Sequence, residues 1–146
     1  MKIKIKNSFM QIIVLVVLLT FSLFLFSACD EKHKGIILFN SVPINQNNAL
    51  HNKKVFSTGQ KIYYLFIAQQ KMTDDFIRIQ VFKITDKAAL GGYDVVRTKD
   101  YRLMKDERYY HTDYFVLHEK GRYAMQVFAH SDFTTPVAIS EFYVEQ

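Results

Sequence analysis

The chain's only cysteine, Cys29, stands where an apolar run gives way to charge, and this boundary separates what can enter a folded domain from what precedes it. Lys2, Lys4 and Lys6 open the sequence without an acid among them. Between Ile12 and Phe26 the only polar side chains are Thr20 and Ser22. A basic start followed by such an apolar stretch is the composition of an export signal. Small residues, Ser27 and Ala28, lead to Cys29, after which Asp30, Glu31 and Lys32 begin a short charged tether. The organisation expected is therefore a signal over residues 1–28, a tether over 29–34 and one domain over 35–146. About 110 residues suffice for a single hydrophobic core and are too few for two.

The segment Leu25-Phe26-Ser27-Ala28-Cys29 resembles the lipobox of bacterial lipoproteins. In that pattern a type II signal peptidase cuts before a cysteine whose sulfur carries a diacylglyceryl group. The resemblance implies cleavage between Ala28 and Cys29 and fatty-acyl lipidation of Cys29. Leu, Val or Ile is usual three residues before the cysteine, and this chain has Phe26 there. Two other readings stay open. Residues 8–28 are about long enough to span a bilayer core as an uncleaved helix, and an ordinary cut after Ala28 would release a soluble product, although Phe26 is bulky for that enzyme. All three send residues 30–146 across a membrane, so the expected address is the cell envelope. The domain would be lipid-anchored to the inner or outer membrane, in the periplasm or on the cell surface.

Removing residues 1–28 takes away three Lys and no acid, leaving 16 basic against 14 acidic residues and a charge of +2. So small an excess is no electrostatic footprint for nucleic acid. With its one thiol at the lipid position, the domain has no cysteine left for a disulfide.

After the tether, strand signals dominate. Residues 35–40 read as a first strand and 54–57 as a short second one. Residues 61–69 are apolar on both faces, the mark of a central strand, and 76–84 alternate Ile77, Ile79 and Val81 with Arg78 and Gln80, the period of a half-buried strand. Residues 86–90 suit a brief helical turn before Gly91-Gly92. Further strands are expected over 93–98, 109–117, 122–130 and 136–144. About seven to eight strands with frequent turns and no long amphipathic helix predict an all-β, antiparallel sandwich preceded by the signal-peptide helix. Glu119-Lys120-Gly121-Arg122-Tyr123-Ala124-Met125 resembles the corner before strand F of immunoglobulin-like domains. There a tyrosine two residues before a conserved cysteine turns its hydroxyl back onto the backbone. Here Met125 replaces that cysteine and the chain has no Trp, so the resemblance implies an immunoglobulin-like sandwich outside the antibody type. A plain strand aromatic is the other reading of Tyr123.

Little points to catalysis. His111 and Asp113 would share a strand face, and a zinc site with His118 would need that residue on the same face; an odd separation puts it on the other. Exposed polar residues at a sheet edge are the simpler reading. His130-Ser131-Asp132 has the residue types of a hydrolytic triad, but neighbours on one turn cannot form its geometry. Neither a Gly-x-Ser-x-Gly motif nor a phosphate-cradling glycine loop occurs. We therefore expect no catalytic residue, no metal ligand set and no cofactor. A tethered metal-binding protein or enzyme, and a structural link between membrane and cell wall, are the alternatives. For binding, residues 99–111 interleave Tyr101, Tyr109 and Tyr110 with Arg102 and Arg108, types favoured at interface hot spots. They read as a loop or edge connection. The function expected is a membrane-anchored, non-catalytic protein-binding or assembly module whose partner is another envelope protein or an extracellular one.

Overall fold

Period-two alternation between turn residues produces eight strands and no helix among the described residues of the computed structural model, 34–85 and 93–146. They belong to the unit His33–Gln146. The signal segment, Ala28, Cys29, most of the tether and the turn read over 86–92 lie outside them. The strands are β1 (Gly35–Asn40), β2 (Val55–Ser57), β3 (Lys61–Ala68), β4 (Phe76–Ile84), β5 (Tyr93–Arg102), β6 (Tyr110–Val116), β7 (Gly121–Ala129) and β8 (Ala138–Glu145). One expected boundary is corrected: β5 runs on to Arg102 instead of stopping at Thr98. Its polar second half is held by β4, where Arg78 pairs with Asp100 through two hydrogen bonds of 2.8 and 2.9 Å and Gln80 donates to Thr98. Charged residues suit a strand whose other side is open, because they discourage unwanted edge pairing.

β1, β3 and β6 form one sheet in that order, and β2, β8, β7, β4 and β5 the other. Every pairing is antiparallel except β2 with β8. β3 is the middle strand of its sheet, as its two-sided apolar pattern predicts. Ile37, Phe39, Ile62, Tyr64, Phe66 and Phe115 of the first sheet share one core with Phe56, Ile77, Ile79, Val81, Tyr123, Met125, Val127, Phe142 and Val144 of the second. Phe142, fully buried, lies at its centre with ring centroids 4.8 Å from Phe39, 5.7 Å from Phe115, 6.1 Å from Phe56 and 5.6 Å from Tyr123.

At the corner before β7, the Tyr123 hydroxyl donates to the Glu119 carbonyl at 2.7 Å, the backward turn expected of that segment. The ring is buried and stacks on Phe142. Tyr123→Phe keeps the stack and removes one hydrogen bond, so unfolding free energy should fall by about 1 kcal/mol. Chemical denaturation checks this, and an unchanged midpoint would mean the bond contributes nothing.

Strand directions gather the loops into two ends. Lys34, the 69–75 and 103–109 loops and the 130–137 loop share one end, where Gln69 N–H donates to the Lys34 carbonyl at 2.7 Å. The other end carries 41–54, 117–120 and the turn at Gly59, whose φ of 78° suits glycine.

Candidate functional site

Residues 99–111 divide between two surroundings. Lys99 and Tyr101 pair with the buried Ile79 and Ile77, which turns both inward across the seam where edge strand β5 meets edge strand β6. There the Tyr101 hydroxyl donates to Asp113 Oδ2 at 2.7 Å, and Lys99 Nζ lies 3.3 Å from the same oxygen. Burial pushes the Asp113 carboxyl upward, but hydrogen bonds from Tyr101, the Tyr114 N–H and Lys99 outweigh it and hold the group below the usual carboxylate range. The Tyr101 ring also packs 4.3 Å from the His111 ring.

His111 and Asp113 do share the inward face of β6, but His111 is only 7% exposed. The expectation of an exposed histidine at a sheet edge is thus corrected: β6 is an edge, yet Tyr101 of the opposite sheet covers its inner side. Neither ring nitrogen has a protein hydrogen-bond partner, and burial pushes the imidazole pKa down. Glu107 and Asp113 act against that shift and Lys99 with it. Beside it the Tyr64 hydroxyl is buried without a hydrogen bond of normal geometry, although Tyr101 is near enough to add to the upward push that burial gives its ionisation.

The unfolded chain takes up the His111 proton near pH 6.5, the folded chain only lower, so folding holds the ring neutral. Stability from this residue is complete above about pH 6.5 and is lost as pH falls from there through the folded value. His111→Phe keeps a ring beside Tyr101 and removes the proton site. Thermal midpoints at pH 7.5 and 5.5 should differ less in the variant than in the parent; an equal difference would remove His111 as the cause. The carboxylates with lowered pKa, Asp113 among them, act in a separate window below about pH 4.

The other candidate residues lie at the end of the sheets that carries Lys34. Arg108 is half-buried and turns onto the neighbouring loop: Nη1 donates to the carbonyls of Thr73 at 3.0 Å and Asp74 at 2.7 Å, and Nη2 pairs with the Asp75 carboxylate. Its backbone carbonyl accepts from Met72 N–H. Arg108 is thus a clamp between the 69–75 and 103–109 loops. Arg102, Tyr109 and Tyr110 face solvent, the tyrosines 53% and 44% exposed. Structure therefore brings Tyr101 and Asp113 together inside the seam, ties Arg108 into the fold and leaves three of the five candidates open.

His130, Ser131 and Asp132 form a turn. Ser131 Oγ donates to Asp74 at 2.7 Å, while Asp132 accepts from Thr134 and Thr135, which holds its carboxyl down at about 2. His130 packs against Phe76 and Phe133. His118 is exposed beyond the end of β6, on the far end from His111. Among the described residues no three His, Cys, Asp or Glu side chains are grouped to hold a metal ion, and no helix is long and apolar enough to cross a membrane.

One surface escaped the sequence reading. Phe82, Ile84, Tyr93, Ala124 and Ile139 line a depression of about 570 Å³ on the outward face of the five-stranded sheet, together with Gln126 and the Arg122–Glu141 ion pair (2.6 Å). Tyr93 reaches it, and Val95 joins the same face, because the β4–β5 register shifts between Val81 and Phe82: Arg97 faces Val81, Val95 faces Phe82, and Val96 is the extra residue. A bulge reverses the facing of whatever precedes it. Tyr93 and Val95, which simple alternation would put on the same side as Arg97, Lys99 and Tyr101, turn outward and stay 55% and 53% exposed. A polar residue beside two valines in an edge strand was the only hint in the sequence.

No family model matches this chain, and no curated protein matches it. Among solved structures, the alkylpurine DNA glycosylase AlkC of Pseudomonas fluorescens bound to DNA containing an abasic site analog is similar at a TM-score of 0.42 and 11% identity, over 77% of this chain and 31% of that one. A beta-glucosidase from Kluyveromyces marxianus in complex with glucose is similar at a TM-score of 0.39 and 12% identity, over 79% and 14%. The chain thus spans under a third of either protein, and likeness at this level extends to neither fold family nor activity.

Proposed function

We propose that the chain is a lipid-anchored protein of the bacterial cell envelope, held through Cys29, whose immunoglobulin-like sandwich is a non-catalytic binding module for another envelope or extracellular protein. The anchor rests on the basic start, apolar run and small residues before the sole cysteine. The immunoglobulin-like reading is supported by two features. First, third and sixth strands separate from the rest, as strands A, B and E do from C, F and G in such domains, and Tyr123 turns back onto the Glu119 carbonyl.

The observation that carries binding is the outward face of the five-stranded sheet. Tyr93, Phe82, Ile84 and Ile139 line an apolar and aromatic surface together with an ion pair, the mixture found at protein interfaces. A photo-crosslinking residue placed at Tyr93 in living cells should give one discrete adduct that Ile139→Asp removes. Placed at Tyr114, on the outer face of the other sheet and 42% exposed, it should give none. No adduct at Tyr93, or the same adducts at both positions, would overturn this assignment.

A further inference from the structure

We propose that the end of the domain built from loops 69–75, 103–109 and 130–137 rests on the lipid surface, with Met104, Tyr109 and Phe133 entering the headgroup layer. The inference rests on lipidation of Cys29 and goes beyond it by assigning a face. It also gives Arg102, Tyr109 and Tyr110 a lipid partner in place of a protein one.

Chain length is the first argument. Four residues lie between Cys29 and Lys34, and however they run the five steps reach no more than about 20 Å. Lys34 is fastened to this end, where its carbonyl accepts from Gln69 N–H and β1 begins one residue later. A lipid at Cys29 therefore leaves these loops nearest the bilayer, while the β4–β5 and 117–120 ends of the strands point away.

Composition is the second. Met104 is 61% exposed, Tyr109 53%, Tyr110 44% and Phe133 40%, all on these loops or at their edge. Tyrosine places an apolar ring and a polar tip where a membrane interface offers both surroundings. Lys71, Arg102 and Lys105 are exposed and form no ion pair, whereas Asp74, Asp75, Glu107 and Asp132 are held by Ser131, Arg108, the Met104 N–H and Thr134. Of the acids in these loops only Asp106 has no partner. Only Asp75 among these acids is neutralised by an ion pair, so Lys71, Arg102 and Lys105 supply individual contacts to lipid phosphates and not a net positive face.

Rigidity is the third. Arg108 joins two of the loops, Asp74 joins the third through Ser131, and Leu103 N–H donates to the Asp75 carbonyl. The Arg78 guanidinium lies 4.1 Å from the Phe133 ring centroid. These ties hold the exposed side chains outward, so little ordering remains to oppose contact with lipid.

Because Cys29 is the only cysteine, the test can use thiol labelling of the full chain purified from membranes. Met104→Cys and Leu50→Cys, both at exposed positions and at opposite ends, are labelled with an environment-sensitive fluorophore. Each is reconstituted in vesicles of phosphatidylethanolamine with a minority of phosphatidylglycerol. The expected result is one label per chain, with quenching by a headgroup-level nitroxide lipid stronger at Met104→Cys than at Leu50→Cys by about twofold or more, as for a group lying in the interface. One label with equal quenching at the two positions would overturn the contact and leave lipidation standing. Two labels per chain would show a free Cys29 thiol and overturn both.

Discussion

Cys29→Ser is expected to abolish fatty-acid labelling completely and to leave a precursor that still begins at Met1. The reason is chemical selectivity at a single atom. Lipidation of this kind forms a thioether at sulfur, and this chain offers one thiol; a serine hydroxyl, far less nucleophilic at neutral pH, is no substitute. Without the lipid the cut before residue 29 does not follow, and the apolar run from Ile12 to Phe26 stays attached. The variant should remain with membranes through that run, so fractionation alone is a poor readout. Labelling with a radioactive fatty acid, together with the mass of the intact protein, separates the outcomes. Retained label, or an unchanged mass at the N-terminus, would end the lipoprotein reading and with it the proposed lipid-facing end.

Phe142→Ala should be the most damaging single core substitution, costing about 3–5 kcal/mol of unfolding free energy. Phe142 sits on β8 yet touches rings from β1, β2, β6 and β7, so both sheets lean on one side chain. Truncation removes the buried apolar area and leaves a cavity between two sheets that pair along their strands and cannot easily close on it. Typical domains have only about 5–15 kcal/mol in hand, and this one has no disulfide to constrain its unfolded chain. Phe142→Leu should cost clearly less, since it keeps most of the volume. Urea denaturation of all three proteins measures the order. A loss under about 1 kcal/mol for the alanine variant would show that Phe142 is not the junction its ring contacts suggest.

Both substitutions were accessible to different degrees from the sequence. Cys29 needs no fold to be noticed, because an export signal is read by composition and order. Phe142 is one of 13 phenylalanines, and only the packing singles it out. The same split runs through the candidate site. Tyr109 and Tyr110, where the 103–109 loop enters β6, are exposed, while Arg108, read as a contact residue, holds the 69–75 loop in place by donating to its carbonyls. A guanidinium does not announce whether its acceptors lie in a partner or in a loop more than 30 residues earlier. Burial of His111 was missed for a related reason: the side chain that covers it, Tyr101, comes from the other sheet.

By itself the sequence determined the all-β class, the places of all eight strands to within a few residues, the central position of β3 and the corner at Tyr123. These depend on local alternation, turn residues and short spacing, which act over a handful of neighbours. Tertiary structure alone decided that β5 continues through Asp100 to Arg102, that Tyr101 closes the seam over His111, and that the chain's entry point shares an end with three braced loops. It also decided that one extra residue at Val96 sends Tyr93 and Val95 outward. Each depends on which distant strand lies alongside, and a one-residue change in register reverses every side chain beyond it.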